Sequence, residues 1–289
     1  MSNETLYALE TEMVLRRMSP ASRSSYRRCV KRFLAYHTGE LSSIRVDEVR
    51  GFLLALLEKE GLGPAQHKMH VAALKFLFKH VVLRPGVAAG LPWPKVPKSL
   101  PPVLSREEVG ALLKSVSVLK YRVAGAVLYA TGLRVSEGCR LEVGDIDAKR
   151  MVVHVRHGKG AKDRYVPLPS RLLLALRAYW KIERPARPWL FPNGRGDGPM
   201  SKRALQNALQ KAGEACGLTK RTSPHVLRYS YATHMLESGM DLATLQGVLG
   251  HAALSCTLRY LNISQKQQSR FGSPIDGLGR LDLPGERQE

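Results

Sequence analysis

Residues 223–234 read SPHVLRYSYATH, and this stretch combines a helical pattern with two side chains suited to phosphate chemistry. We expect a helix over His225–Glu237, in which His225 and Arg228 are three residues apart and lie on one face. Histidine exchanges protons near neutral pH. Arginine donates two parallel hydrogen bonds to an oxyanion. The stretch therefore predicts a helix that presents an anion-binding pair.

A second motif lies about ninety residues earlier, where residues 130–137 read ATGLRVSE. Gly132 is expected to end the preceding helix and to permit a turn before Arg134. Together with Arg228, Arg134 is suited to clamp the non-bridging oxygens of a phosphodiester. Glu137 either orients an arginine through a salt bridge or fills a plain position near a helix N-terminus.

A third motif, HGKGAKDR at residues 157–164, lies between two segments rich in β-branched or strand-forming residues. Met151–His157 and Arg164–Leu168 are predicted to be the strands of a β-hairpin, with a short polar connection between them. Lys159 in this connection is suited to donate a proton to a leaving 5′ oxygen. Lys162 is a rival for the same role and is also a candidate for contact with DNA. Either lysine is also compatible with a solvated turn.

A fourth motif, VLGH at residues 248–251, is followed nine residues later by Tyr260. His251 is a candidate hydrogen-bond donor, and Tyr260 is the candidate nucleophile. A phenol has an ordinary pKa of about 10, so this role requires a nearby base or a cationic field. Tyr229 and Tyr231 are rejected as nucleophiles because neither follows the LGH segment.

The composition favours a polyanionic partner. The chain of 289 residues has 45 Lys and Arg against 24 Asp and Glu, a formal net charge of +21. Nucleic acid is the simplest partner for such a charge, and a well-solvated basic surface is the alternative. The scattered cysteines Cys29, Cys139, Cys216 and Cys256 form no CxxC pair, so we expect free thiols, no metal and no cofactor. We expect a cytoplasmic, nucleoid-associated protein without a secretory leader or a membrane span.

The N-terminal part is predicted to be a small helical domain over residues 1–84. Ser19 and Pro20 fit a helix start, and Tyr26, Val30 and Phe33 follow in a helical stripe. Basic residues lie between them and are candidates for contact with the DNA backbone: Arg23, Arg27, Arg28 and Lys31.

Prolines crowd residues 85–104, so we predict an extended linker there. Ser105 and Glu108 fit a capping box that restarts helix. The fold class is mainly α with a small antiparallel β-sheet. The second domain is predicted over residues 105–275, and residues 276–289 are predicted to be a flexible tail.

The four motifs in this order resemble the tyrosine recombinases of the phage-integrase family, in a layout similar to the Xer recombinases. The resemblance covers nearly the whole chain. It implies a two-domain C-shaped clamp, with an N-terminal core-binding domain and a tyrosine-recombinase catalytic domain. It also implies double-stranded DNA with a specific recombination site as substrate, a homotetramer on synapsed DNA, and in some members a second recombinase or an accessory protein.

Roles follow from the resemblance residue by residue. Arg134 and Arg228 match the two catalytic arginines, Lys159 the hairpin lysine, His225 and His251 the two histidines, and Tyr260 the nucleophile. Glu137 matches the acidic residue that supports the first arginine. The implied reaction passes through a 3′-phosphotyrosyl link and a Holliday junction. Its biological setting is integration, transposition, or resolution of a mobile element or replicon.

Three other readings compete with this one. An accessory DNA-binding protein without catalysis predicts damage at the six catalytic positions, and none is seen. A type IB topoisomerase shares the chemistry but acts as a monomer without defined sites. The separate N-terminal helical domain and the chain length favour a recombinase. A purely structural basic protein does not explain the motif order.

Overall fold

The computed structural model describes residues 2–97, 101–156, 163–250 and 255–258. The chain divides into two compact units, Met1–Ser99 and Leu100–Glu289. The predicted tail at 276–289 lies outside the described residues.

The first unit is helical throughout its described elements. Ser19 accepts a hydrogen bond from the Ser22 backbone N–H at 3.2 Å, and Pro20 opens the helix as predicted. Phe33 is fully buried and contributes on the order of 2 kcal/mol of hydrophobic stabilisation. The helices are α1 (Ser2–Leu15), α2 (Pro20–Tyr36), α3 (Val46–Glu58), α4 (Pro64–His80) and α5 (Pro85–Ala89).

Two of these helices differ from the sequence expectation. Helix α1 was not predicted, although Leu9 and Met13 are fully buried in the core of the unit. Helix α5 lies at the start of the range 85–104 that was predicted to be an extended linker. Val87 and Leu91 are buried in the core of the first unit. Proline is tolerated in the first turn of a helix, so Pro85 begins α5 instead of preventing it.

The second unit is mainly helical and contains one small sheet. Its described elements are α6 (Arg106–Ser115), α7 (Leu119–Thr131), α8 (Val135–Gly138), a 3₁₀ turn (Val143–Asp145), β1 (Ile146–Asp147), β2 (Val152–Val155), β3 (Arg164–Pro167), α9 (Ser170–Glu183), α10 (Lys202–Ala215), α11 (Pro224–Glu237), α12 (Leu242–Leu249) and α13 (Ser255–Leu258). The described strands pair in the order β1-β2-β3, all antiparallel.

The sheet confirms the predicted pair of strands and adds a short one. Val155 pairs with Arg164 and Val152 pairs with Pro167, which fixes the register of the hairpin. Val153 and Val155 are buried, whereas the intervening His154 is half-buried, in keeping with the two-residue period of a strand. Strand β1 was not predicted because it contributes only Ile146 and Asp147.

The predicted capping box is present at the start of helix α6. Ser105 accepts from the Glu108 backbone N–H at 3.2 Å, and Glu108 Oε2 accepts from the Ser105 backbone N–H at 2.7 Å, which completes the predicted capping box. The Leu104 backbone N–H donates to Ser230 Oγ at 2.9 Å, so this start is tied to α11. Within the described ranges no helix is long and apolar enough to cross a membrane.

Candidate active site

The turn between α7 and α8 places the first arginine. Gly132 ends α7 in the left-handed conformation, with φ 65°, as its position before Arg134 had predicted. Arg134 then lies in extended conformation directly before α8. The Glu137 carboxylate accepts from the Arg134 backbone N–H at 2.9 Å and from Arg134 Nη1 at 2.8 Å. Glu137 therefore forms the salt bridge that was one of its two expected roles.

Helix α11 places the histidine and the second arginine. Ser223 Oγ accepts from the Val226 backbone N–H at 3.3 Å, and Pro224 occupies the first turn, so the helix begins directly before His225. Arg228 is 5% exposed and donates to the backbone oxygens of Gly132 at 2.5 Å and Leu249 at 2.8 Å.

The exposed His225 lies in the field of both arginines. Desolvation by the surrounding protein lowers the pKa of His225 below its ordinary value, and the positive charges of Arg228 and Arg134 lower the pKa further. His225 is therefore held in its neutral form, in which one ring nitrogen accepts a proton or a hydrogen bond.

Three arginines donate hydrogen bonds to the backbone at the end of α12. Arg164 Nε donates to the Val248 oxygen at 2.9 Å, Arg228 Nη2 to the Leu249 oxygen at 2.8 Å, and Arg134 Nη2 to the Gly250 oxygen at 2.8 Å. These three consecutive carbonyls form the negative end of the helix dipole, where cations are stabilised. Gly250 ends the helix with φ 61°.

Arg164 is the residue of this site to which the sequence motifs gave no role. Its guanidinium donates to both carboxylate oxygens of Glu137, at 3.1 Å and 2.8 Å. Glu137 is 27 residues away in sequence and Val248 is 84 residues away. No local pattern links positions so far apart, although Arg164 is the last residue of the HGKGAKDR motif.

We call Arg134, Arg164, Arg228 and Glu137 the arginine cluster. Burial alone would raise the pKa of Glu137, but the hydrogen bonds from Arg164 and the Arg134 backbone, with the charge of Arg164, lower it to about 2. Glu137 is therefore ionised at neutral pH. Three guanidinium cations and one carboxylate leave the cluster with two net positive charges, which suits the binding of a phosphodiester.

The remaining predicted catalytic residues lie outside the part of the chain that the structure describes. Lys159 and Lys162 lie in the sequence between the paired residues Val155 and Arg164, outside the described residues. His251 and Tyr260 lie outside them as well. The short helix predicted over Thr257–Leu261 overlaps α13, described over Ser255–Leu258.

Tyr231 is a poor candidate for a nucleophile in this geometry. It is 6% exposed, and burial raises the pKa of its phenol. Its ring lies so close to Gly132 that a Cβ there would stand 2.4 Å from Tyr231 Cδ1. Among the described residues no group of three or more His, Cys, Asp or Glu is arranged to hold a metal ion.

The DNA-contact candidates of α2 fall into two groups. Arg27, Arg28 and Lys31 are exposed, on the side of the helix away from the buried Phe33. Arg23 differs, because its Nη1 forms an ion pair with Glu10 Oε1 at 2.8 Å.

A helical unit with a small antiparallel sheet and a cationic cluster of this kind defines an integrase-type catalytic domain, and comparisons with known proteins agree. Residues 102–267 match the model of the phage integrase family. Residues 6–86 match that of the N-terminal SAM-like domain of phage integrases. The chain is 39% identical to y4qK of Sinorhizobium fredii over 94% of this chain and 88% of the relative. It is 37% identical to the tyrosine recombinase XerA of Thermococcus onnurineus over 91% of this chain and 92% of the relative.

Solved structures give the same result. A XerA recombinase structure is 27% identical, covers 94% of this chain and 100% of its own, and has a TM-score of 0.55. A lambda integrase dimer bound to a COC′ core site has a TM-score of 0.75 at 18% identity, covering 94% of this chain and 98% of its own, which shows the shared fold. The chain belongs to the phage integrase family. Within it, the chain is a tyrosine-type site-specific recombinase that resembles the Xer enzymes.

Proposed function

We propose that this recombinase breaks and rejoins DNA through the phenol of Tyr260, with Arg134 and Arg228 as the phosphate clamp. One observation carries the proposal. Arg134 and Arg228 donate to the consecutive oxygens of Gly250 and Leu249, so two motifs about ninety residues apart meet at the chain segment that continues into His251. Two arginines can bind the same phosphodiester only if the fold brings them together in this way.

The proposed reaction conserves the energy of the DNA bond. The Tyr260 oxygen forms a bond to phosphorus, and the bond from phosphorus to the 5′ oxygen breaks, which leaves a 3′-phosphotyrosyl link and a 5′ hydroxyl. His225 accepts the phenolic proton, and Lys159 donates a proton to the leaving oxygen. Arg134, Arg228 and His251 stabilise the charge that builds on the non-bridging oxygens. Rejoining is the reverse reaction with a different 5′ hydroxyl.

The proposed substrate is double-stranded DNA with a specific recombination site. The net charge of +21 and the exposed basic side chains of α2 support contact with the phosphate backbone. We infer that four copies synapse two sites and exchange strands through a Holliday junction, with a second recombinase or an accessory protein as a further partner. The enzyme then works in the cytoplasm at the nucleoid. The C-shaped clamp of its two domains stays a prediction.

Covalent capture tests the chemistry and finds the site in one experiment. The full-length protein is incubated in EDTA with a pool of randomised duplexes. Each duplex carries a nick, so that the short fragment with the new 5′ hydroxyl dissociates after cleavage and cannot be rejoined. Covalently bound DNA is recovered after denaturation and sequenced. We expect an enriched sequence with two inverted half-sites. Flanking genes at matching genomic sites then assign the reaction to integration, transposition, or resolution of a mobile element or replicon.

The variants Tyr260→Phe and Tyr231→Phe form a matched pair. We expect Tyr260→Phe to bind the recovered duplex with unchanged affinity and to form no adduct. Tyr231→Phe keeps the ring that packs on Gly132 and should form the adduct like the wild type. An adduct with Tyr260→Phe, or a strict requirement for a divalent metal, would contradict the proposed mechanism.

A further inference from the structure

Arg164 makes contacts with two parts of the site and is itself nearly buried. Its side chain is 12% exposed, and that of Glu137 is 6% exposed. Two parallel hydrogen bonds, at 3.1 Å and 2.8 Å, join its guanidinium to the two Glu137 oxygens. A third hydrogen bond, from Nε to the Val248 oxygen at 2.9 Å, reaches the last turn of α12. These three bonds come from three separate nitrogens of one planar guanidinium, and a lysine ammonium, with a single nitrogen, cannot match that geometry.

The Glu137 carboxylate is shared between Arg164 and Arg134. Each of its oxygens accepts one hydrogen bond from each arginine: Oε1 from the two Nη1 atoms, and Oε2 from Arg164 Nη2 and the Arg134 backbone N–H. Without Arg164, the negative charge of Glu137 would cancel the positive charge of Arg134. With Arg164 present, the pair of arginines keeps one net positive charge beside this carboxylate.

The same arrangement fixes the direction of the Arg134 side chain. Arg134 is held by Glu137 on one side and by the Gly250 oxygen on the other, and its side chain remains 22% exposed. Arg164 holds both of these partners, because it binds Glu137 directly and the same helix end through Val248. A movement of Arg164 would therefore shift both supports of Arg134.

Gly250 is required for this approach. Its φ is 61°, and a Cβ added there would stand 3.0 Å from Arg164 Cζ. The absence of a side chain lets the end of α12 lie against the guanidinium plane of Arg164. The end of α12, which precedes His251 in the sequence, thus packs directly against the guanidinium of Arg164.

We propose that Arg164 is a positioning residue of the recombinase, which sets the orientation and the effective charge of Arg134 through Glu137 and the end of α12. This inference rests on the proposed function of Arg134 as part of the phosphate clamp. Arg164 acts through these contacts and does not itself touch the DNA. Its loss should slow the cleavage step without weakening DNA binding.

The test uses the duplex recovered by covalent capture. The single-turnover rate constant of adduct formation is measured at saturating protein, together with the Kd for the duplex and the Tm, for Arg164→Lys, Glu137→Gln and the double variant. We expect each single variant to lower the rate constant by about tenfold to hundredfold, as a displaced clamp predicts, with Kd within about threefold of the wild type. The double variant should be no slower than the slower single variant, because both act through one pair.

The matched control is Arg150→Lys, the same substitution at an exposed arginine. Its guanidinium lies over the Tyr165 ring at 5.1 Å, two residues before strand β2. It should keep the wild-type rate constant. All rates are measured well below the lowest Tm, so that a loss of folded protein does not lower the rate. If Arg164→Lys does not fold, Glu137→Gln carries the test, since it leaves Arg164 in place.

The outcomes separate this inference from the proposed function. An unchanged rate constant in Arg164→Lys or, where that variant does not fold, in Glu137→Gln, would overturn the positioning role. So would effects that multiply in the double variant, or a loss confined to Kd, which would place Arg164 on the DNA. If the wild-type protein itself captures no duplex, the proposed function fails instead.

Discussion

Arg228 donates a hydrogen bond from Nη1 to the Gly132 backbone oxygen at 2.5 Å, which joins helix α11 to the turn that precedes Arg134. The two residues are 96 positions apart in sequence. The conformation of Gly132 therefore sets the positions of both arginines of the proposed clamp, although it carries no side chain. This relationship makes the glycine a sensitive point of the site.

Gly132→Ala should lower both stability and cleavage. The φ of 65° disfavours any L side chain, and the new Cβ would stand 2.4 Å from Tyr231 Cδ1 and 2.9 Å from Leu249 Cδ2. We expect a loss of at least about 2 kcal/mol in the free energy of unfolding. Urea denaturation followed by circular dichroism measures it.

Gly110→Ala is the control for that substitution. Gly110 lies inside α6, where an added Cβ meets nothing within 4 Å. The alanine should raise the free energy of unfolding by up to about 1 kcal/mol, because alanine is the better helix former. Equal stability of the two variants would show that the packing around Gly132 is not as tight as described.

The parts of the fold that the sequence predicted are those with local signals. The capping box of Ser105 and Glu108, the proline start of α2 and the helical turn between His225 and Arg228 each lie within a few residues. Local hydrogen bonding and helix geometry determine such features, so they can be recognised without knowledge of the tertiary structure.

The parts that were missed depend on contacts between distant residues. Helix α1 has no strong apolar stripe, and it is fixed by burying Leu9 and Met13 in the first unit. Prolines alone suggested an extended linker at 85–104, but burial of Val87 and Leu91 favours helix α5 and continued packing. Arg164 was missed because tertiary packing brings it to its partner Glu137, outside any local spacing rule.

Acid should remove a specific part of the stability. The folded protein lowers the pKa of Glu137 from 4.5 to about 2, so the unfolded chain binds a proton to this carboxyl at a higher pH than the folded chain does. The resulting stabilisation, on the order of 3 kcal/mol, is fully present above about pH 4.5 and is lost as the pH falls towards 2.

Glu137→Gln removes this titrating group and isolates its contribution. The difference in the free energy of unfolding between wild type and Glu137→Gln, measured by urea denaturation from pH 7 to pH 3, should shrink below about pH 4.5. A difference that stays constant over this range would contradict the ionised, doubly paired carboxylate.

The pH dependence of cleavage should report on His225. Desolvation and the charges of Arg228 and Arg134 lower the pKa of His225 from its ordinary value of 6.5. The imidazole therefore stays neutral to a lower pH than a free histidine does. If neutral His225 accepts the phenolic proton, the rate constant of adduct formation should stay constant from neutral pH to 6.5 and fall only below it. In His225→Gln the rate should be low, and this acidic decline should disappear.

His234→Gln is the matched control on the same helix. His234 is buried, and a hydrogen bond of 2.8 Å joins its Nδ1 to Tyr129 Oη. Its pKa is also lowered, and burial is the largest cause. It takes no part in the proposed chemistry, so its variant should keep the acidic decline. Loss of that decline in His234→Gln, or its persistence in His225→Gln, would assign the titration to another group.

The basic face of α2 should set the salt dependence of DNA binding. Arg27, Arg28 and Lys31 are exposed, whereas the charge of Arg23 is already paired with Glu10. Each phosphate contact contributes about 0.9 to the slope of log K against log salt, so Arg27→Gln should reduce the slope by about that amount.

Arg23→Gln is the matched control, because it makes the same change of charge on the same helix. It should reduce the slope clearly less, since the ion pair with Glu10 already offsets the charge of Arg23. Titrations of a fluorescent duplex with the recovered site, at several salt concentrations, measure both slopes. Equal slopes for the two variants would mean that α2 contacts DNA through Arg23 as readily as through Arg27, and the ion pair would then have to open on binding.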